Sequence, residues 1–157
     1  MNASAASRRA IAAPERWSTT VVAGLVAFAA VELGLAIFMA LAPHRFYIAI
    51  GPFGARNDHY VRDVASYNAA LGAGLLIAVR HASWRVPVLA ITTIQFALHG
   101  LNHLLDISSA HPAWVGYFDF FALAAATVQL AWLTWLALKH PQEQAPSSQH
   151  HPEGGTP

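Results

Sequence analysis

Residues 17–42 read WSTTVVAGLVAFAAVELGLAIFMALA, an apolar run interrupted by one charge, Glu32, and stopped by Pro43. Coiled as an α-helix rising about 1.5 Å per residue, a run of this length spans the roughly 30 Å of hydrocarbon in a bilayer. Three further stretches repeat the pattern at 60–79, 86–105 and 114–138. The expected fold class is therefore all-α, an integral membrane four-helix bundle with four spans. Basic residues ahead of the first run, with Ala27-Phe28-Ala29 inside it, also match a cleavable signal peptide. The run stays apolar well beyond Ala29, which favours a retained anchor.

Composition agrees with a lipid solvent. Of 157 residues, 55% are hydrophobic and 11% charged, whereas a soluble domain carries about 25% charged residues. The length allows one domain once the polar ends are set aside. A net charge of +1, with arginines scattered at segment ends rather than gathered on one face, gives no footprint for nucleic acid. Without cysteine there are no disulfides, iron–sulfur clusters or thiolate zinc sites, so a metal would need histidine and carboxylate ligands.

The expected organisation is a disordered cytoplasmic N-terminus (1–16), a transmembrane domain (17–140) and a disordered cytoplasmic tail (141–157) too rich in Pro, Gln, Ser and Gly to order itself. His150 and His151 in that tail read as a solvated end rather than a metal tract. Arg8, Arg9 and Arg16 precede the first span, Arg80 and Arg85 separate the second from the third, and Lys139 follows the fourth. Four spans put all of these on one side, which the positive-inside rule makes cytoplasmic, so both termini are expected there, in a bacterial inner membrane crossed several times. The loop between the third and fourth spans has no Lys or Arg. The loop at 43–59, with Arg45 and Arg56 inside it and Arg62 just beyond, is the exception. Its apolar patch at 46–50 and the following Gly51-Pro52-Phe53-Gly54 suggest a short helix or turn lying along the interface. Trp17, Trp84 and Trp114 sit at span ends, as interfacial aromatics do.

The few polar residues of the spans are ordered. Thr92, Gln95, His99, Asn102, His103 and Asp106 recur at helical spacing and form one stripe down the third span. Asp63 opens the second span, followed by Tyr67 and Asn68; Asp119 lies near the outer end of the fourth and Glu32 in the middle of the first. Hydrocarbon offers such groups no partners. The expectation is a pocket open to the outer face, with Glu32, Asp63, Asn68, His99, Asn102, His103, Asp106 and Asp119 as ligand-binding residues.

A plainer reading makes these groups interhelical hydrogen bonds worth about 0.6 kcal/mol each. It is preferred for Thr92, Gln95, Asn68 and Asn102, and both readings stay open for Glu32 and Asp119. His99 and His103 have the i, i+4 spacing that lets two imidazoles hold one metal ion, with Asp106 as a third ligand or an orienting group. His-Gly-Leu-Asn-His lacks the glutamate of zinc proteases. Metal or haem ligation thus stands beside two hydrogen-bonded histidines lining a cavity. Ala70 and Gly74, with Ala69 and Ala73, have the small-residue spacing that brings helices close, and residues 122–126 repeat it.

The first span ending at Pro43, the Arg62-Asp63 step opening the second, the run Leu71-Gly72-Ala73-Gly74-Leu75-Leu76, and Arg80 and Arg85 around the next turn together resemble the DoxX-like group of small four-helix bacterial membrane proteins, in particular its members of unknown function. The resemblance covers about residues 20–138 and leaves out the His99-to-Asp106 stripe. It implies links of the kind some relatives have to quinone or thiosulfate oxidation or to membrane redox homeostasis, with a quinone seated among aromatics such as Phe118, Phe120 and Phe121.

Three functions fit these residues. The first is an accessory or ligand-binding subunit, partnered by the bilayer and by a larger membrane complex or a second copy of the chain. Another is a quinone-linked oxidoreductase component in which His99 and His103 handle protons and Asp106 or Asp119 tunes them. The remaining one is a proton-coupled transporter of small solutes, oligomeric, with Glu32 as relay.

Overall fold

A computed structural model describes residues 16–139, with side-chain surroundings from residue 18 onward. The expectations for the two chain ends, including His150 and His151, and for the Trp17 side chain lie outside the described residues. The helices are α1 (Arg16–Leu41), α2 (Pro43–Ala49), α3 (Asp58–Arg80), α4 (Arg85–Leu105) and α5 (Ala113–Lys139), with a single 3₁₀ turn, Ala82–Trp84, between α3 and α4.

Local chemistry sets these boundaries. A proline disfavours helical backbone in the residue before it, and Ala42 accordingly leaves the helix at φ −138°, while Pro43 occupies the first position of α2, where its missing N–H costs nothing. Asn57 caps α3: its side-chain oxygen accepts hydrogen bonds from the backbone N–H of His59 at 3.0 Å and of Tyr60 at 3.3 Å. Asp58 in the first turn and Arg80 in the last each suit the helix dipole. Arg85 then donates from Nε to the carbonyl oxygen of Ala78 at 3.3 Å, tying the start of α4 to the end of α3.

Three helical segments, Ser18–Leu41, Ala82–Leu105 and Ala113–Lys139, are long and apolar enough to cross a membrane. Helix α3 falls short of that standard because its first half carries Arg62, Asp63, Ser66, Tyr67 and Asn68. The surface is inverted relative to a soluble protein. Leu41 is 81% exposed, Val128 69% and Phe121 64%, while Glu32 is 2% exposed and Thr92 fully buried. So large an apolar exterior needs an apolar solvent, which makes this a membrane protein.

Helix α1 packs along α3 and α4 along α5, and the two pairs touch each other more sparsely. One end of the molecule is filled by Val21, Leu25 and Ala29 of α1, Leu75 and Ala78 of α3, Val88, Leu89 and Phe96 of α4, and Leu130, Leu133 and Ala137 of α5. Close approach of α1 and α3 falls at Gly72, where a Cβ would lie 2.7 Å from Leu33 Cγ. The expected Ala70–Gly74 pair does not make that contact: Ala70 and Ala73 are exposed, and Gly74 faces Val88 instead.

At the other end, two connections meet. Phe53 and Ala110 form an antiparallel bridge, and the backbone N–H of His111 donates to Pro52 O at 3.4 Å. The segment expected to be a short helix or turn is α2 followed by this bridged loop. Tyr47 donates its hydroxyl hydrogen to Gly54 O at 2.6 Å, and Arg56 contacts the His44 ring and pairs with Asp58 at 3.2 Å. The loop basics that broke the charge pattern are thus partly engaged within the loop itself.

Candidate ligand cavity

Above the filled end, the helix pairs separate around a cavity of about 530 Å³. Its walls are mainly apolar, with Phe28 and Met39 of α1, Phe96 of α4, and Phe46 and Phe53 of the α2 segment among them. Phe28 and Phe96 meet edge to face with centroids 5.9 Å apart. Against this lining stand Glu32, Asn68, Gln95, His99, His103, Asp119 and Gln129.

Four of these groups form a line along the α4–α5 wall. Helical spacing places Gln95, His99 and His103 one above another on α4. Gln95 Nε2 lies 3.4 Å from His99 Nδ1, and His99 Nε2 lies 3.0 Å from His103 Nε2. The two imidazoles stack with centroids 4.9 Å apart and planes 18° from parallel. On its other side His103 Nδ1 faces Asp119 Oδ2 at 4.0 Å, and the Phe53 ring packs edge-on against His103 at 4.8 Å between centroids. Because one Nε2 must donate and the other accept, the two histidines hold complementary tautomers.

Glu32 enters from the opposite wall. Its carboxyl group is almost wholly buried, and Oε2 has no hydrogen-bond partner; Gln95 Oε1, His103 Nδ1 and Asp119 Oδ2 are also buried without one. An unpaired buried polar atom costs about 1–3 kcal/mol. Four such atoms border one cavity, and two of them, His103 Nδ1 and Asp119 Oδ2, face each other at 4.0 Å.

The cavity brings together Glu32, Asn68, His99, His103 and Asp119 of the expected set. The other three are elsewhere. Asp63 is exposed and pairs with His59 at 3.5 Å. Asn102 and Asp106 are exposed and line an adjoining groove that shares Phe53, Gln95, His99 and His103 with the cavity and adds Ile91, Ile94 and Leu98. The stripe is shared rather than divided: Gln95, His99 and His103 border both spaces, Asn102 is exposed, and Asp106 lies just past the last turn of α4, where the backbone has left the helix at φ −103°, ψ 14°. Among the described residues no three His, Asp or Glu side chains gather as a metal-binding group, so the His99–His103–Asp106 ligand set is not assembled.

Aromatic residues expected around a ligand are also displaced. Phe118 and Phe121 are exposed, and neither they nor Phe120 line the cavity; Phe28, Phe46, Phe53 and Phe96 do. Thr92 donates its hydroxyl hydrogen to Val88 O one turn earlier on α4, 2.8 Å away, and is fully buried. Gln129, which the sequence reading passed over, joins the lining from α5 at a position a helix periodicity through Asp119, Ala122 and Ala126 would have found.

The cavity opens sideways. Its exposed lining residues are Ala27 and Val31 of α1, Val64 of α3, and Ala122, Ala125 and Gln129 of α5. A mouth between α1 and α5 follows, along one of the sparse seams between the helix pairs. The end expected to be open carries Phe46, Ile50, Gly51 and Phe53 across it. No family model, curated protein or solved structure matches the chain.

Proposed function

We propose that this chain crosses a bacterial inner membrane four times with both termini cytoplasmic, and that it works as an accessory or ligand-binding membrane protein whose cavity holds a small lipid-soluble molecule. One observation carries this reading: buried, unpaired polar atoms of Glu32, Gln95, His103 and Asp119 converge on a mainly apolar cavity of about 530 Å³. A ligand with an apolar body and one polar end satisfies both features at once. The side mouth between α1 and α5 supports entry from the hydrocarbon. Helix α3, polar in its first half, serves as the fourth span: its 23 residues are long enough to cross, and Asn68 turns into the cavity.

The test is the content of the purified protein. Organic extracts of wild-type protein should contain a small molecule, in stoichiometric amount, that is lost from a cavity-filling Ala126→Phe variant of unchanged helicity. Extracts that match the surrounding lipid in both proteins would refute the reading.

A quinone-linked redox role draws support from the Gln95–His99–His103–Asp119 line, since paired imidazoles pass a proton by exchanging tautomers. An absorption spectrum of the extract separates the two: a quinone band favours redox, and a colourless ligand does not.

A further inference from the structure

We propose that the cavity is selective for a lipophilic cation, an apolar or aromatic body bearing one positive charge, with Glu32 as its counter-ion. This rests on the reading of the cavity as a ligand site and names the class of ligand.

The lining holds two carboxyl groups, Glu32 and Asp119, two histidines and three side-chain amides, and no lysine or arginine. Among the described residues, no ion pair joins a lysine or arginine to either acid. A carboxyl group at this depth is costly and is ordinarily paired. Neither acid has such a pairing: Glu32 Oε2 has no partner, and Asp119 Oδ2 has only the neutral-or-charged ring of His103, 4.0 Å away.

The histidine line does not answer Glu32. It is engaged along its own wall, from Gln95 through both imidazoles toward Asp119. Glu32 is thus an acceptor facing a chamber whose lining includes Phe28, Phe46, Phe53 and Phe96, residues whose ring faces attract cations. An anionic ligand would bring a third negative group into the same low-dielectric space with no permanent positive charge to meet it. A neutral ligand would meet Glu32 only as the protonated acid and would bring no counter-charge to its carboxylate. A monocation supplies that charge, and the seam between α1 and α5 admits its apolar body from the bilayer.

The experiment compares tetraphenylphosphonium with tetraphenylborate, which has nearly the same size and shape and the opposite charge, by equilibrium dialysis against wild-type protein in an uncharged maltoside detergent. The cation is expected to bind saturably and the anion not, and Glu32→Gln should weaken the cation by about tenfold or more. Because the variant alone can misfold, a second measurement uses wild-type protein. Dicyclohexylcarbodiimide modifies carboxyl groups in apolar surroundings, and peptide mass spectrometry should find Glu32 modified in free protein and protected by tetraphenylphosphonium. Equal binding of both ions, or of the anion or a neutral tetraaryl compound in preference, overturns the cation assignment and leaves the cavity a ligand site. If no probe binds, the cation assignment falls, and the ligand-site reading is decided by the organic extracts. Cation binding that survives Glu32→Gln unchanged, with no protection of Glu32, overturns the role given to Glu32.

Discussion

Gly116→Ala is the substitution whose effect follows most directly from the packing. A Cβ at Gly116 would lie 2.1 Å from the carbonyl oxygen of Ile107 and 3.3 Å from Ala110 Cβ. The obstacle is backbone, so no rotamer change relieves it, and the first turn of α5 must move by more than an ångström from the turn that precedes it. Overpacking of this kind costs about 1–3 kcal/mol, and alanine returns at most about 1 kcal/mol in helix propensity. A net loss of about 1–2 kcal/mol is therefore expected. Movement of that turn also carries Asp119, three residues on, away from His103, so ligand retention should fall with stability. Gly34→Ala is the matched control, since nothing lies within 4 Å of its would-be Cβ. Unfolding of both variants in mixed dodecyl maltoside and SDS, followed by circular dichroism, should show Gly116→Ala destabilised and Gly34→Ala neutral or stabilised. Equal stability of the two would refute the close contact between α5 and the Ile107 turn.

Leu25 is fully buried and Leu41 is 81% exposed, so in the same unfolding assay Leu25→Ala should lose about 2 kcal/mol, the low end for a buried leucine because lipid is itself apolar, while Leu41→Ala should change little. Asn57→Ala removes the cap of α3 and should cost about 1 kcal/mol, with faster amide hydrogen exchange at His59 and Tyr60 as its local signature. Thr93 and Thr134 hydroxyls meet at 3.1 Å between α4 and α5; Thr134→Val should cost about 0.6 kcal/mol and show coupling to Thr93→Val in a double-mutant cycle.

Apolar run lengths made the long helices readable, because a membrane helix satisfies its own backbone and needs only length and hydrophobicity to declare itself. Pro43 marked the end of α1, and the same residue started α2. Helix α3 was readable as a helix, yet its first half, with the polar residues from Arg62 to Asn68, is too polar to announce a span by composition. In the site, His99, His103 and Asp119 were legible as groups at one depth, since helical spacing and turn length fix depth well. Exposure is the part that spacing fixes poorly near a helix end. Asn102 and Asp106, taken as members of the same stripe, lie with His99 and His103 on an adjoining groove but face outward there, Asp106 just past the end of α4, and Asp63, taken for a lining residue, pairs with His59 at the surface. Phe53 was hidden for another reason. Its place over His103 depends on the bridge to Ala110, a contact between two loops that no local pattern encodes.

Topology is the claim on which the cavity's membrane setting rests, and the absence of cysteine makes it directly measurable. Single cysteines introduced at exposed Ala55, Ser83 and Ser109 mark the loop before α3, the turn between α3 and α4, and the turn before α5. In intact spheroplasts an impermeant maleimide should label Ala55→Cys and Ser109→Cys, and should reach Ser83→Cys only after permeabilisation. Labelling of Ala55→Cys and Ser83→Cys from the same side would mean that α3 does not cross, and the four-span account would be wrong.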